Sequence, residues 1–337
     1  MMRVSVFVNG FGRIGRLVIR DIVRRQLPIH IVGINSMSSV EAAAHLMKYD
    51  TVHGVYDGSV CIDGEHLVID GMKIPYTRAQ NPLELNLSDV HYVYECSGVF
   101  TSHSAAELHL QAGARRVLVS APVADADFTV VYGLNHEQMR DEHKIISNAS
   151  CTTNCVAHVI ALVDEMYGIE SGFISTTHAY TADQCLVDGG HKDMRRARAA
   201  AINICPTTTG VTGAVGYLFP HLAGRMDGVS LRVPVSNVSL AQMSLVVREN
   251  VSASDINQIF HERVRQRCDG VLHIEEAPLV SSDYVGSTYS AVVDAGLTKV
   301  VPLRSGGCMV NISAWYDNEY AFACRMNDVS KYGFASH

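Results

Sequence analysis

A glycine-rich turn between a short apolar strand and a helix constrains the fold of this chain more than any other segment. Residues 4–8 (V-S-V-F-V) are typical of a buried strand, and an apolar helical pattern follows the turn. The turn itself, N-G-F-G-R-I-G at residues 9–15, has the spacing G-x-G-x-x-G. There Gly10 permits the turn, Gly12 lets a pyrophosphate approach the backbone, and Gly15 lets helix and strand pack closely. The segment predicts a dinucleotide site; the alternative is a glycine turn that only packs a helix on a sheet.

The order of predicted elements divides the chain near residue 150. Before that point strands and helices alternate, which indicates an α/β fold with a parallel, doubly wound sheet. A hairpin is expected within residues 58–75, around Asp63-Gly64. Beyond residue 150, longer strands predict an α+β unit with a largely antiparallel sheet. The predicted strands are 3–8, 29–34, 91–95, 116–120, 129–132, 173–177, 229–235, 239–248, 290–295 and 309–316, and the predicted helices are 13–25, 40–47, 105–112 and 253–266, with a last one near 318–332.

Cys151 lies where an apolar helical pattern begins, within S-N-A-S-C-T-T-N at residues 147–154. Ser150 is a natural N-cap, and a thiol in the first turn feels the positive end of the helix dipole, which favours the thiolate. Cys151 is therefore a candidate nucleophile; the alternative is a small buried core thiol. Cys155 follows one turn later, but further ligands at metal-binding spacing are lacking, so we predict no metal site.

Composition excludes several classes of protein. A net charge of −7 argues against a dedicated nucleic-acid binder, although 47% hydrophobic residues over 337 positions suffice for a large core. No apolar run approaches the ~18 residues of a membrane span. Nine scattered cysteines, with no signal peptide expected, predict reduced thiols in the cytoplasm.

Further segments give the chain a resemblance to the phosphorylating glyceraldehyde-3-phosphate dehydrogenase family. They follow the family's order from residue 4 to about residue 327. The resemblance implies a dinucleotide-binding (Rossmann) domain over residues 1–150, completed by a C-terminal helix at 318–337, and a catalytic domain over 151–317. It also implies a cytoplasmic homotetramer of glycolysis or gluconeogenesis. Besides the two motifs above, the matching segments are T-T-H-A-Y-T (176–181), H-K-D-M-R-R-A-R (191–198), P-T-T-T-G (206–210), L-R-V-P (231–234) and W-Y-D-N-E (315–319).

The resemblance implies an oxidoreductase that converts glyceraldehyde 3-phosphate and inorganic phosphate to 1,3-bisphosphoglycerate. Cys151 would form a thioester, with hydride transfer to NAD or NADP, and His178 would be the base. A lone strand histidine is more often a satisfied core residue, but the flanking threonines suit a polar cleft. The implied substrate-phosphate residues are Thr181, Arg195 and Arg232; those for inorganic phosphate are Ser150, Thr152, Thr209 and Gly210; and those for the cofactor are Gly10, Phe11, Gly12, Arg13, Ile14, Gly15, Asn35, Ser36, Ser97, Ser120 and Asn318.

Two departures from the family pattern concern the cofactor. Ser36 stands where NAD-specific members carry an acid that would repel a 2′-phosphate, and Gly190 stands where NAD-type members carry a proline. Both indicate NADP use or dual use. However, no arginine or lysine lies between Arg25 and Lys48 to pair with a 2′-phosphate. Tyr320 and Phe322 also depart from the family pattern, without an assigned consequence.

Two other functions remain open at the level of sequence. Erythrose-4-phosphate dehydrogenase shares the fold, cysteine and histidine, but it tends to lack the P-T-T-T-G and H-A-Y-T forms that this chain keeps. A redox-sensing or binding relative without turnover is the second alternative. The intact Cys151, His178 and phosphate-binding residues favour an enzyme acting on the triose phosphate.

Overall fold

The computed structural model describes residues 3–267 and 270–335, which form two compact units. One contains the described residues up to Ser150 together with those from Phe322, and the other contains Cys151–Ala321. The predicted fold class is confirmed, since the first unit is built on a mostly parallel sheet and the second on a mostly antiparallel one. Predictions that fall on residues 1–2 and 336–337 lie outside the described residues.

The first unit carries a nine-stranded sheet in the order β3-β4-β5-β2-β1-β6-β7-β9-β8. Strands β2, β1, β6, β7, β9 and β8 are parallel to their neighbours, whereas β3, β4 and β5 form an antiparallel extension joined to β2. The carboxyl ends of the parallel strands therefore share one edge. The elements are β1 Val4–Asn9, α1 Arg13–Arg24, β2 Ile29–Asn35, α2 Val40–Lys48, β3 Val60–Asp63, β4 His66–Ile69, β5 Met72–Thr77, β6 Tyr92–Glu95, α3 His103–Gln111, β7 Arg116–Val119, β8 Phe128–Thr129 and β9 Ile145–Ser147.

The second unit carries an eight-stranded sheet on which the helix α4 lies. The order is β11-β12-β10-β13-β17-β15-β14, with β16 paired to β17. Two pairs, β10–β12 and β14–β15, are parallel, so the sheet is mixed. The elements are α4 Cys151–Tyr167, β10 Ile169–Ala179, β11 Cys205–Thr207, α5 Val211–Leu218, β12 Met226–Val233, β13 Ser239–Val247, α6 Ala253–Gln266, β14 Leu272–Glu275, β15 Ala291–Asp294, β16 Lys299–Pro302 and β17 Cys308–Tyr316. The last helix, α7 Tyr320–Ala335, belongs to the first unit from Phe322 onward.

The core of the second unit fixes the start of α4. Val156, Val159, Ile160 and Val163 are fully buried in the cluster that also holds the inward side chains of β13 and β17. Burial of that many aliphatic side chains anchors the helix against the sheet. The first turn of α4 is thereby held at a defined place next to β10.

The helix α7 packs within the first unit through polar contacts along its length. The Asn327 amide donates to the Val18 carbonyl at 3.0 Å, and Arg25 pairs with Asp328 at 2.8 Å. The predicted C-terminal helix is thus present, but it begins at Tyr320 rather than Asn318.

Two sequence predictions in the first unit differ from the structure. The strand predicted at residues 129–132 ends at Thr129, because the Asn135 side chain bonds the Thr129 carbonyl at 2.9 Å and the Val131 amide at 2.7 Å. The predicted hairpin is present as β3 and β4, but a third strand, β5, follows it and was not predicted.

Candidate active site

Cys151 and His178 are brought together by α4 and β10. Cys151 is the first residue of α4, and its Sγ lies 3.5 Å from His178 Nε2. His178 is buried, whereas Cys151 is half-buried. A thiol in contact with an imidazole nitrogen is the arrangement that nucleophilic catalysis by cysteine requires.

The other imidazole nitrogen of His178 is held by its neighbours on the sheet. His178 Nδ1 lies 2.7 Å from the Ala179 carbonyl oxygen and 2.9 Å from an Arg232 guanidinium nitrogen. The contact between His178 and Arg232 follows from strand pairing, because β10 and β12 are parallel and their register places the two residues side by side. The ring is therefore fixed from both strands, with Nε2 directed at Cys151.

Burial decides the ionisation of this pair. Burial, together with the Arg232 charge, lowers the pKa of His178 to about 3. Burial raises the pKa of Cys151, although Arg232 and hydrogen bonds with Thr152 oppose that rise. The helix N-terminus was expected to favour the Cys151 thiolate, but desolvation of the thiol outweighs that effect in this structure. Cys151 needs a base in contact to lose its proton.

Arg232 is positioned as an anion receptor beside the pair. Its guanidinium also donates to the Ala179 carbonyl at 3.0 Å and lies 3.5 Å from the Thr181 hydroxyl. Its buried Nε–H has no hydrogen-bond acceptor among the described residues. A buried donor without an acceptor is costly, and an anionic ligand would satisfy it.

The remaining predicted phosphate residues are placed less closely. Arg195 is exposed, whereas its neighbour Arg196 bonds the Thr207 hydroxyl at 2.9 and 2.6 Å. The Thr152 hydroxyl lies 2.9 Å from the Tyr316 hydroxyl. Ser150 immediately precedes α4, Thr209 accepts from the Val211 amide at 3.3 Å, and Gly210 is the N-cap of α5.

Sequence reasoning missed Ser239, which joins the predicted site residue Asn318 to the backbone of Ala179, the residue after His178. Its hydroxyl donates to the Asn318 amide oxygen at 2.9 Å and accepts from the Ala179 amide at 3.1 Å. The preceding Val238 has φ of +68°, a conformation that a β-branched residue rarely adopts. Such an outlier persists only where the surroundings fix it, so Ser239 is held in place at the cost of backbone strain.

The glycines of the first unit have the geometry that a dinucleotide turn requires. Gly10 has φ of +95°, and a Cβ on it would lie 2.4 Å from the Ser97 amide nitrogen. A Cβ on Gly15 would lie 2.0 Å from the Gly10 carbonyl oxygen, so helix and turn are in direct contact. Gly12 has open space beside it, and no side chain caps α1. The turn therefore offers an uncapped helix N-terminus beside space for an anion.

Polar side chains at the carboxyl ends of β1, β2 and β6 support this turn. The buried Glu95 carboxylate accepts from the Asn9 amide and from the Ser97 amide nitrogen, the latter at 2.7 Å. Asn35 donates to Asn9 at 2.8 Å, and the Asn35 carbonyl accepts from the Gly10 amide at 2.8 Å. The other predicted residues here are Phe11, buried against Tyr76; Arg13, paired with Asp50; Ile14, in the first turn of α1; and Ser120, whose amide donates to the Glu95 carbonyl at 2.9 Å.

Beyond β2, the structure supplies a cation that the sequence did not reveal. The Ser36 hydroxyl is within 3.2 Å of the Ser38 hydroxyl, and no carboxylate stands at this position. Arg78 follows β5, and its exposed guanidinium donates to the Met37 carbonyl at 3.0 Å. Because β5 pairs in parallel with β2, Arg78 lies beside the segment that begins at Ser36.

Comparison with known proteins identifies the chain. Residues 4–103 match the model of the glyceraldehyde 3-phosphate dehydrogenase NAD binding domain, and residues 150–318 match that of the C-terminal domain of the same enzyme. The chain belongs to the glyceraldehyde-3-phosphate dehydrogenase family. It is 44% identical to the glyceraldehyde-3-phosphate dehydrogenase of Xanthobacter flavus, over 98% of each chain. It is 43% identical to glyceraldehyde-3-phosphate dehydrogenase 2 of Bacillus subtilis, over 98% of this chain and 97% of the relative.

A third relative is the chloroplastic glyceraldehyde-3-phosphate dehydrogenase A of Chlamydomonas reinhardtii, at 42% identity over 98% of this chain and 88% of the relative. The predicted family is thus confirmed, as is an oxidoreductase using a nicotinamide cofactor. Within the described residues, no helix has the length and apolar character to cross a membrane. No group of three or more potential metal ligands is present among them either.

Proposed function

We propose that this chain oxidises glyceraldehyde 3-phosphate and joins the product to inorganic phosphate, giving 1,3-bisphosphoglycerate. One observation carries the proposal. In a chain of this family, Cys151 Sγ lies 3.5 Å from His178 Nε2, and His178 in turn contacts Arg232. A nucleophile, a base and an anion receptor thus lie side by side in one unit.

Cys151 and His178 divide the covalent chemistry between them. Cys151 Sγ adds to the aldehyde carbon while its proton passes to His178 Nε2 and then to the new hemithioacetal oxygen. His178 Nε2 takes that proton again as hydride leaves the carbon, and a thioester on Cys151 remains. Attack by a phosphate oxygen on the acyl carbon breaks the C–S bond and releases the acyl phosphate, and the Cys151 thiolate that leaves takes back the proton held on His178 Nε2. NAD or NADP, when bound, supplies the hydride acceptor.

Arg232 supports that chemistry by binding anions. We assign it, with Thr181, to the substrate phosphate, because the two contact each other and the Arg232 Nε–H has no acceptor among the described residues. Arg195 is exposed and available for the same phosphate. Ser150, Thr152, Thr209 and Gly210 remain the proposed site for inorganic phosphate.

The glycine turn and its neighbours are proposed to hold the cofactor. The open space at Gly12 and the uncapped N-terminus of α1 fit a pyrophosphate. Asn35 and Ser36, at the end of β2, are proposed for the adenosine ribose. Asn318 is proposed for the nicotinamide amide, since Ser239 donates to its oxygen and leaves its NH₂ group as a donor.

We further propose that NADP is accepted as well as NAD. Ser36 places no negative charge against a 2′-phosphate, and Arg78, beside Met37, supplies the positive charge that the sequence around Ser36 lacks. An arginine can bind a phosphate through two hydrogen bonds. The exposure of Arg78 limits its effect, so a modest preference is expected.

The test of the covalent step is a burst without phosphate. Enzyme mixed with cofactor and glyceraldehyde 3-phosphate should form about one reduced cofactor per Cys151, with the acyl group on that residue by mass spectrometry. Cys151→Ser should abolish the burst and retain less than about 1% of the activity. Cys155→Ala, one turn along the same helix, is the control that should keep both. A full burst in Cys151→Ser would refute the mechanism. An acyl group found on another residue would show that Cys151 is not the nucleophile.

The alternative substrate and the assembly need separate measurements. Comparing kcat/KM for glyceraldehyde 3-phosphate and erythrose 4-phosphate distinguishes the two aldehydes, and we expect the triose phosphate to be preferred. We also propose a homotetramer, which light scattering at micromolar concentration tests; a monomer there would contradict it. The cytoplasmic location remains a prediction from sequence.

A further inference from the structure

A cavity lies in the first unit, at the sheet edge opposite the glycine turn. It has a volume of about 540 Å³. The turn at Gly10 follows the carboxyl end of β1, whereas this cavity lies where β1, β6, β7 and β9 begin. The proposed chemistry of the enzyme makes no use of this edge.

A row of nitrogen-bearing side chains follows from the strand order. Arg3, His91, Arg115 and Lys144 immediately precede β1, β6, β7 and β9, respectively, and all four line the cavity. These strands are consecutive, parallel neighbours in the sheet. Neighbouring strands lie about 4.8 Å apart, so the four positions span about 14 Å along one edge.

The positive charge of this row is not neutralised within the described residues. There the side chains of Arg3, Arg115 and Lys144 make no hydrogen bond or ion pair, and all three are exposed. Asp141 is the one carboxylate among the described lining residues, and it pairs with the buried Arg116 at 2.7 Å. Three cations therefore face one cavity in a chain whose net charge is −7.

The rest of the wall is preformed. Arg116 donates to the Tyr92 hydroxyl at 2.9 Å and to the Gly333 carbonyl at 3.3 Å, which ties the strand to α7. The His91 ring meets the Phe334 ring edge-on, with centroids 4.8 Å apart. Burial and the charge of Arg115 lower the pKa of His91, so it adds an aromatic surface rather than a fourth charge.

We propose that this cavity binds a small ligand that carries several linked phosphate groups. Guanidinium groups bind phosphate oxygens in pairs, and a row of separate cations suits a chain of phosphates better than a single anion. A nucleic acid fits less well, because the acidic chain has three cations here rather than an extended basic face. The site is separate from the cofactor turn, which lies at the other edge of the sheet.

The experiment is calorimetric titration of inorganic tripolyphosphate into the NAD-loaded enzyme at low ionic strength. The test variant is Arg3→Gln/Arg115→Gln/Lys144→Gln. The matched control is Arg265→Gln/Lys299→Gln/Arg304→Gln, which removes three exposed charges of the second unit. We expect the test variant to weaken one class of sites by about tenfold or more, since each exposed pair contributes up to about a factor of five. The control should stay within about twofold, and added salt should weaken wild-type binding.

Two readouts separate this site from the anion sites around Arg232. Those sites remain in every variant, so unchanged activity and cofactor affinity show that the test variant is folded. Arg115→Lys, which keeps the charge, should retain most of the binding. Equal tripolyphosphate affinity in the test and control variants would overturn the proposal. The proposal would also be overturned if orthophosphate bound only at tens of millimolar in all variants, which would mean an adventitious ion only. Tighter binding of an RNA oligonucleotide than of tripolyphosphate would overturn it as well.

Discussion

Two glycines of the same turn should differ in how a single added methyl group affects the stability of the protein. Gly15→Ala would place a Cβ 2.0 Å from the Gly10 carbonyl oxygen and 3.1 Å from its carbon. Gly12→Ala would place a Cβ with nothing within 4 Å. The first substitution therefore strains the ligand-free protein, whereas the second occupies only the space that a pyrophosphate would need.

The magnitude for Gly15→Ala follows from the displaced atoms. Ordinary contact between carbon and oxygen requires more than 3 Å, so α1 or the turn must move by more than about 1 Å. The turn is itself fixed, because Gly10 packs on the Ser97 backbone and donates to the Asn35 carbonyl at 2.8 Å. Overpacking of this kind costs about 1–3 kcal/mol. At about 2–4 °C per kcal/mol, the Tm of the apoenzyme should fall by several degrees.

The assay pairs thermal unfolding of the apoenzyme with cofactor titration. Gly15→Ala should lower the Tm and weaken NAD binding together. Gly12→Ala should leave the free energy of unfolding within about 1 kcal/mol of wild type and still weaken NAD binding tenfold or more. If Gly12→Ala binds NAD as wild type does, the pyrophosphate does not lie at this turn. An unchanged Tm in Gly15→Ala would mean that the contact between α1 and the turn is not as tight as described.

Four further substitutions test other parts of the chain. His178→Asn should lower kcat by about 10²–10⁴-fold and slow alkylation of the thiol at neutral pH, because the base in contact is lost; a normal alkylation profile would separate the two residues. Ser36→Asp should shift the NAD/NADP ratio of kcat/KM by about 10²-fold towards NAD, and Arg78→Gln by about fivefold in the same direction; no change in either would remove both residues from the ribose site. Asp50→Asn should destabilise the fold by about 2 kcal/mol at pH 7: burial by itself would raise the Asp50 pKa, but hydrogen bonds from Arg13 and two amides lower it to about 2. The contribution of Asp50 is therefore present above about pH 4 and lost as the pH falls towards 2, so urea unfolding of wild type and variant should converge in acid.

Local patterns predicted the elements whose cause is local. The helix predicted at residues 253–266 has those bounds, since Ser252 and Asp255 form a capping box at its start. The strand β5 was missed because Pro75 interrupts its apolar pattern. The structure tolerates Pro75 because the register of β5 against β2 begins one residue later, at Tyr76 opposite Ile34. Residues 130–132 were predicted to continue a strand because they are apolar. The Asn135 side chain instead forms hydrogen bonds with the backbone of this segment.

Contacts between strands account for what the sequence could not predict in the site. Cys151 and His178 are recognisable from their motifs, but the contact of His178 with Arg232 depends on parallel register between β10 and β12, which no local pattern encodes. Arg78 is a stronger case, because it lies 41 positions after Met37 in the chain and reaches it only through the pairing of β5 with β2. The segment between Arg25 and Lys48 therefore gives no sign of this cation. The position of Arg78 beside Met37 is determined by sheet topology, so the proposed acceptance of NADP should be tested at the end of β5 as well as at Ser36.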